Sequence, residues 1–560
     1  MKPRMPLGDF LVAYLQRLGV THLFGIPGDL VMRLFLRFGQ KRGLRIVTMS
    51  HEPGVGFAAD GYARATGRIG VICVTYGAGG HNMVNPVAGS FAERVPILVI
   101  SGGPGEEERK LGTLIHHQAR EIESQRRIYT EITCATAVIE QPATAAAEID
   151  AVVRRMWADR RPGYLEIHRD MVERVITVPD AIIEWDGRLP ERGSDRRKLR
   201  EAARETAARL NAARRPVILA GIECHRFHLT RDLLRLVERT GAPCATTVLA
   251  KGAIPIDHPL HMGVYMGAIS PRPIRERVAT ADVVLNLGTL LTDMNLMMRG
   301  PTFGQAQAIS AVDDRVDVSF HSYTDVTLRD FLAALLRAPL RRHTARVAYA
   351  DNLRPQPRRT QRAVRVSDVL WEINRTLAGR RDLFFVAEAG DALFGGLDVR
   401  VEGPSSYFAQ GYYASMGFGV PGAIGAQIGT GRRPLVLCGD GAFQMTGPEI
   451  AQAPRHGATP IVLVMNNAGW GIFRPVADRK DLLDIPPWPY ADLGRAWGGS
   501  GVQVRTVAEL RAALAAAVAC PTFALIEVMI DVDDLSPVTR KYIAASVRGG
   551  ARQRRGRVPA

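Results

Sequence analysis

The apolar run PLVLCGDGAF closes on Gly439-Asp440-Gly441, and the next such run, PIVLVMNN, closes on Asn466-Asn467, with 24 residues between the two motifs. Glycines let a backbone approach a phosphate closely, and a helix beginning around Thr446 would aim its free amides at the same place. Asp440 offers a hard oxygen to Mg²⁺, an ion that keeps phosphate oxygens among its ligands. The interval fits one helix and one strand, a single right-handed crossover. Asp440 and Asn467 should therefore emerge side by side at the end of a parallel sheet, where open sheets bind ligands. Asn467 adds a neutral oxygen and the carbonyl of Gly469 a third ligand. The competing reading is a tight turn capped by an aspartate, with asparagines capping the next helix. Two motifs at this interval, each after an apolar strand, favour a metal–diphosphate site.

Three further places could move protons. SHEPGVGF carries Glu52, although His-Glu-Pro taken alone reads as a turn. FGIPGDL places Asp29 after a strand and a Pro-Gly turn. LGTLIHHQAR carries His116-His117 in a polar loop; the chain has 13 histidines, and tandem histidines are often surface residues. Imidazoles titrate near neutrality, so a His-His pair could do general acid–base work.

These residues need strands to present them, and the chain supplies short apolar runs alternating with helical patterns, the mark of α/β domains with parallel sheets. HLFGIP, RIVTMS, GVICVTY and PILVIS are expected strands of a first domain, 1–185. A polar, Arg-rich stretch then leads into a middle domain, 186–350, with PVILAGIE, ADVVLNLG and AQAISAVD. The break ADNLRPQPRRTQR reads as an exposed linker. A last domain, 351–545, holds LFFVAEAG and TFALIEVMI besides the two motif strands, and 546–560 reads as a basic, disordered tail. No short internal repeat is apparent.

With 560 residues the chain exceeds one hydrophobic core, and 46% hydrophobic with 23% charged residues is ordinary globular composition. Six scattered cysteines without CxxC spacing argue against zinc fingers or a disulfide framework and fit a reducing cytoplasm. The N-terminus lacks the apolar region of a signal peptide, and no apolar run is long enough to span a membrane, so neither export nor membrane insertion is expected. The net charge of +16 raises nucleic-acid binding as a possibility, but the arginines are dispersed and no nucleic-acid motif accompanies them.

GDGAFQMTGPEIAQAPRHGATPIVLVMNN resembles the thiamine diphosphate fingerprint of the pyruvate and indolepyruvate decarboxylase family. The resemblance covers nearly all of residues 6–545. It implies three doubly wound parallel-sheet domains: pyrimidine-binding, middle, and diphosphate-binding. It implies Mg²⁺ on Asp440, Asn467 and the Gly469 carbonyl, with Gly441 and Ala442 beside the diphosphate. AEAGDALF is similar to the stretch whose aspartate, here Asp391, hydrogen-bonds the diphosphate end. GYYASMGFGVPGAIGA is similar to the segment that accepts the aminopyrimidine's hydrogen bond, here through the Ala414 carbonyl, and wedges an apolar residue, Met416, under the cofactor. SHEPGVGFAADGYARATGR resembles the activating-glutamate motif, implying that Glu52 engages the pyrimidine so that the thiazolium carbon can lose its proton. Asp29, His116 and His117 become proton carriers, and the first domain of one subunit meets the last domain of its partner. A homodimer or homotetramer follows.

One position departs from the pyruvate decarboxylase pattern. A glutamate is expected six residues past the second asparagine, and NNAGWGIFRP has Phe473 there, which cannot carry a proton. The phenylpyruvate decarboxylase branch shares this absence, and there an aspartate of the middle domain is held to compensate; Asp293 in GTLLTDMN matches it, its plainer reading being a helix N-cap. Phe473 beside Trp470 makes an apolar pocket and favours an aromatic 2-keto acid, phenylpyruvate or indole-3-pyruvate, decarboxylated through an ylide and an enamine to its aldehyde. A thiamine diphosphate carboligase, of the acetolactate synthase or benzaldehyde lyase kind, and a non-catalytic nucleic-acid-binding relative are the alternatives. The His-His pair argues against the first, and intact Glu52, Asp440 and Asn467 against the second.

Overall fold

The computed structural model describes residues 4–40, 43–297, 302–356 and 360–555, which build three main sheets. The first has six parallel strands: β1 His22–Gly25, β2 Arg45–Val47, β3 Gly70–Val74, β4 Ile97–Gly103, β5 Ala135–Ile139 and β6 Gly163–His168, in the order β2-β1-β3-β4-β6-β5. The middle sheet has β7 Pro216–Ala220, β8 Cys244–Thr246, β9 His261–Val264, β10 Val283–Leu287, β11 Ala308–Val312, β12 Arg315–Val318 and β13 His321–Thr324, in the order β9-β8-β7-β10-β11-β12-β13. The last sheet is again six parallel strands: β14 Leu383–Ala387, β15 Tyr407–Ala409, β16 Arg433–Gly439, β17 Ile461–Asn466, β18 Ser500–Val504 and β19 Ala524–Met529. Its order, β15-β14-β16-β17-β19-β18, repeats that of the first sheet strand for strand.

The duplication is one of winding, which is why a search for repeated letters misses it. In both sheets the order reverses between the first and third strands, at β1/β3 and at β14/β16. Ligands of open α/β sheets bind in the crevice at that reversal, outside the strands' C-terminal ends. Asp29 follows β1, and Glu388 to Asp391 and Asp440 follow β14 and β16. The middles of strands such as β16 and β17 are apolar because both faces are covered: Leu435, Val436, Leu437, Val462, Leu463 and Val464 have no exposure. The middle sheet differs from the all-parallel expectation. β12 and β13 join its edge antiparallel, since only two residues separate β11 from β12 and β12 from β13, and a parallel return needs a dozen.

By compactness the chain divides into two units. One is residues 1–192 with 421–431 and 449–458; the other is 193–420 with 432–448 and 459–560. The middle and last sheets belong to one unit because Val264, Met266 and Ile269 share an apolar cluster with Phe394, Leu397 and Val399. The helices that matter below are α1 Glu52–Thr66, α2 Asp391–Gly396, α3 Gly419–Thr430, α4 Asp440–Thr446 and α5 Pro537–Arg555. α5 carries helical backbone to Arg555, where a disordered tail was expected from 546; residues 556–560 lie outside the described ones. Among the described residues no helix is long and apolar enough to cross a membrane.

Candidate active site

β16 passes directly into α4. Gly439 is extended and Asp440 is already the first helical residue, so the helix starts six positions before the expected Thr446. The correction places the carboxylate at the helix's positive end. Both strand ends converge on it: Oδ1 accepts from the Gly441 amide at 2.8 Å, and Oδ2 accepts from the amides of Asn467 at 3.1 Å and Gly469 at 3.2 Å. The tandem asparagines divide their tasks. Asn466 is buried and donates to Glu527 Oε1 at 2.8 Å, whereas Asn467 lines the cavity in front of Asp440. Two glycines make room. A methyl on Gly441 would run into the Trp470 ring, and one on Gly471 into the Asn467 side-chain amide.

The cavity measures about 540 Å³. Asp440, Gly441, Ala442, Asn467 and Gly469 form one end, and Trp470, Ile472, Phe473 and Val476 an apolar wall. Asp391, Ala414 and Met416 also line it, so each residue assigned to the diphosphate, the pyrimidine carbonyl or the wedge faces one space. Asp440 is 2% exposed, and burial pushes its carboxyl up to about 6 although backbone amides donate to it. A divalent cation would offset that penalty, and two strand-end residues with oxygen donors stand beside it. The donor set fits Mg²⁺ and a diphosphate.

Two carboxylates, one buried and one half-buried, hold this end in shape. Glu388 follows β14 and is 1% exposed. Its Oε1 accepts from the amides of Ala389 at 2.8 Å and Gly417 at 3.2 Å, and its Oε2 from Gly419 at 2.7 Å. Burial pushes it up to about 7. It thereby fixes the segment in which Ala414 adopts a left-handed φ of 55° and presents Met416. Asp391 opens α2, and its carboxylate accepts from the Ser536 amide at 3.0 Å and the Thr539 hydroxyl at 2.5 Å, tying the start of α5 to the cavity.

The acid–base candidates lie in the other unit. Glu52 is the first residue of α1, and its Oε2 accepts from Asn82 Nδ2 at 3.0 Å. Glu449 accepts from the amides of Ser50 at 2.8 Å and His51 at 3.0 Å, capping the chain just ahead of α1. α1 is pinned further by α3, since a methyl on Gly61 would meet the Gly422 backbone. Asp29, His116 and His117 converge. His116 Nε2 hydrogen-bonds Asp29 Oδ2, His117 Nε2 lies 3.8 Å from Asp29 Oδ1, and the two imidazoles are 4.8 Å apart. Burial raises the Asp29 carboxyl, but the His116 hydrogen bond, the Leu30 amide and the histidine charges outweigh it and hold it below the ordinary range. Asp293 is not brought into the cavity wall. It is exposed at the start of a short helix capped by Thr292, and its neighbour Met294 reaches the lining instead.

The chain matches three family models in register with its three sheets. They are described as thiamine pyrophosphate enzyme, N-terminal TPP binding domain, over residues 5–128; central domain, over 203–338; and C-terminal TPP binding domain, over 392–528. It is similar to an indole-3-pyruvate decarboxylase of Azospirillum brasilense, 38% identical over 97% of this chain and 99% of that one. It is also similar to an alpha-keto-acid decarboxylase of Mycobacterium avium (strain 104), 30% identical over 92% of each chain. A pyruvate decarboxylase 3 of Oryza sativa subsp. indica is 28% identical over 95% of this chain and 92% of its own. The chain belongs to the thiamine diphosphate-dependent 2-keto acid decarboxylases.

Four positions of this decarboxylase escaped the reading of its sequence: Glu388, Glu449, Asn82 and Gly471. Glu388 left a trace, an acid closing the apolar run LFFVA, where a buried charge demands local donors. The other three act through partners distant in the chain or through the absence of a side chain, and no local pattern marks them.

Proposed function

We propose that the chain carries out the non-oxidative decarboxylation of an aromatic 2-keto acid, phenylpyruvate or indole-3-pyruvate, to the aldehyde and CO₂. The observation that carries the aromatic preference is Phe473, set with Trp470 in an apolar wall of the cavity where a proton-carrying glutamate would suit pyruvate. The similarity to an indole-3-pyruvate decarboxylase supports the same reading. Full burial of an aryl group against that wall, whose Phe473 and Val476 are half exposed, would contribute up to about 1.5–3 kcal/mol, on the order of a tenfold to hundredfold preference over a methyl group.

In this reading Asp440, Asn467 and the Gly469 carbonyl would hold Mg²⁺, and Gly441, Ala442 and Asp391 would hold the diphosphate. The Ala414 carbonyl would accept from the cofactor's aminopyrimidine, and Met416 would pack against the cofactor. When bound, thiamine diphosphate supplies the carbon nucleophile and the electron sink for CO₂ loss. Glu52 holds a proton against the pyrimidine ring. Asp29, His116 and His117 deliver a proton to the carbon that has lost CO₂ and take up the one released with the aldehyde. Glu52 and Asp440 belong to different compact units, and we assign the completed site to a pair of chains, in a dimer or tetramer. A reducing cytoplasmic setting suits six free cysteines.

A coupled alcohol dehydrogenase assay with pyruvate, phenylpyruvate and indole-3-pyruvate tests the substrate. kcat/KM for the aromatic acids is expected to exceed that for pyruvate by about tenfold or more. Equal or better turnover of pyruvate would discard the aromatic assignment while leaving the family intact.

A further inference from the structure

Asp29, His116 and His117 offer more than proton transfer. Their donor atoms all lie within 4.8 Å of one another, a grouping able to hold a metal ion. We infer that this triad binds Zn²⁺, or a similar borderline transition ion, at a site separate from the hard-ion site at Asp440, and that the bound ion inhibits the decarboxylase. The binding stands on the donor geometry; the inhibition rests on the acid–base reading above.

Two imidazoles and a carboxylate suit zinc, whereas Mg²⁺ prefers oxygen alone. Zinc bonds of about 2.0–2.2 Å in a tetrahedron place donors roughly 3.3–3.5 Å apart. His117 Nε2 and Asp29 Oδ1 stand 3.8 Å apart and would draw in, whereas His116 hydrogen-bonds Asp29 Oδ2 and would open to that spacing, both by side-chain rotation. The backbone is prepared for it. His117 holds a left-handed φ of 68°, and its carbonyl packs so closely on Gly77 that no side chain fits there. Thr75 donates to Asp29 Oδ1 at 3.3 Å, the kind of outer hydrogen bond that orients a ligating carboxylate. The side chains are 54%, 35% and 48% exposed for His116, His117 and Asp29, so an ion enters from solvent and keeps a coordination position for water or substrate. Once bound, the three groups can neither accept nor deliver a proton.

The test uses the full-length enzyme loaded with thiamine diphosphate in excess Mg²⁺, which keeps Asp440 engaged. Co²⁺ is the spectroscopic probe and Zn²⁺ the competitor. One Co²⁺ per chain with an intense four- or five-coordinate visible band, displaced by Zn²⁺, is expected. Asp29→Asn and His117→Ala should abolish the band and weaken Zn²⁺ by about tenfold or more. In the unmutated enzyme, Zn²⁺ should shield His116 and His117 from diethylpyrocarbonate in mass-spectrometric mapping, a readout that needs no variant to fold. A weak six-coordinate band, a band that survives both substitutions, or unshielded histidines would overturn the site. If the site forms and Zn²⁺ leaves turnover unchanged, the inhibition is overturned. If metal-free Asp29→Asn and His117→Ala turn over like the parent, the acid–base reading falls and the metal site stands.

Discussion

Asp440 is held by three backbone amides, yet burial still pushes its carboxyl from 3.8 to about 6. The folded chain thus binds this proton more tightly than the unfolded one. In the absence of a divalent ion, its contribution to stability is greatest at low pH and declines as pH rises from 3.8 through about 6. If Asp440 holds Mg²⁺ as proposed, the ion competes with the same proton, and its affinity is expected to fall by up to about tenfold per pH unit below the raised pKa. Mg²⁺ titrations followed by cofactor-induced fluorescence quenching across this range check it; a flat affinity would remove Asp440 from the coordination set. Glu52 lies at the other chemical end. Glu52→Gln keeps the amide-capped start of α1 and removes only the acid, so turnover should fall at least ~100-fold while cofactor affinity stays near that of the parent. A variant that kept most of its activity would disprove activation by Glu52.

Elements carry the next level of control, and here the Glu388 clamp is decisive. The chain just past Met416 is tied to one buried carboxylate by the amides of Gly417 and Gly419, while the Ala389 amide orients that carboxylate from its own strand end. Glu388→Ala leaves those amides without an acceptor, at about 1–3 kcal/mol each, and should weaken thiamine diphosphate binding more than it lowers kcat at saturating cofactor. Cofactor titration against kcat separates the two; unchanged affinity would make the clamp irrelevant to the cofactor. Gly441→Ala should likewise displace Trp470 and depress kcat/KM for aromatic acids more than for pyruvate. What was legible in the sequence follows the same division. The strands and the GDG and NN tips were legible because burial on both faces writes apolar runs and glycine turns locally. The start of α4 was misplaced because Gly439, not a cap near Thr446, ends the extended backbone. Glu388's donors, Glu449's hold on Ser50 and His51, and the antiparallel edge formed by β12 and β13 depend on tertiary partners or on loop lengths too short for a crossover, which periodicity does not report.

At the scale of the whole molecule, two sheets are wound in the same order, and each carries a candidate residue on a strand at its reversal: Asp29 after β1 in one, and Asp440 after β16, next to Asn467 after β17, in the other. The two-fold pairing proposed above would give each site its acid from one chain and its metal–diphosphate grip from the other. The consequence is testable without a further structure. Glu52→Gln chains and Asp440→Asn chains are each expected to be inactive. Under the proposed pairing, the Asp440 of the first chain in a mixed pair would share a site with the Glu52 of the second, so one site would be wholly intact and the other doubly damaged. Random reassortment makes half the pairs mixed, and activity should recover to about a quarter of the parent's. Chains that each build a complete site alone would show no recovery at any mixing ratio, and activity per chain would stay constant on dilution instead of falling as pairs separate.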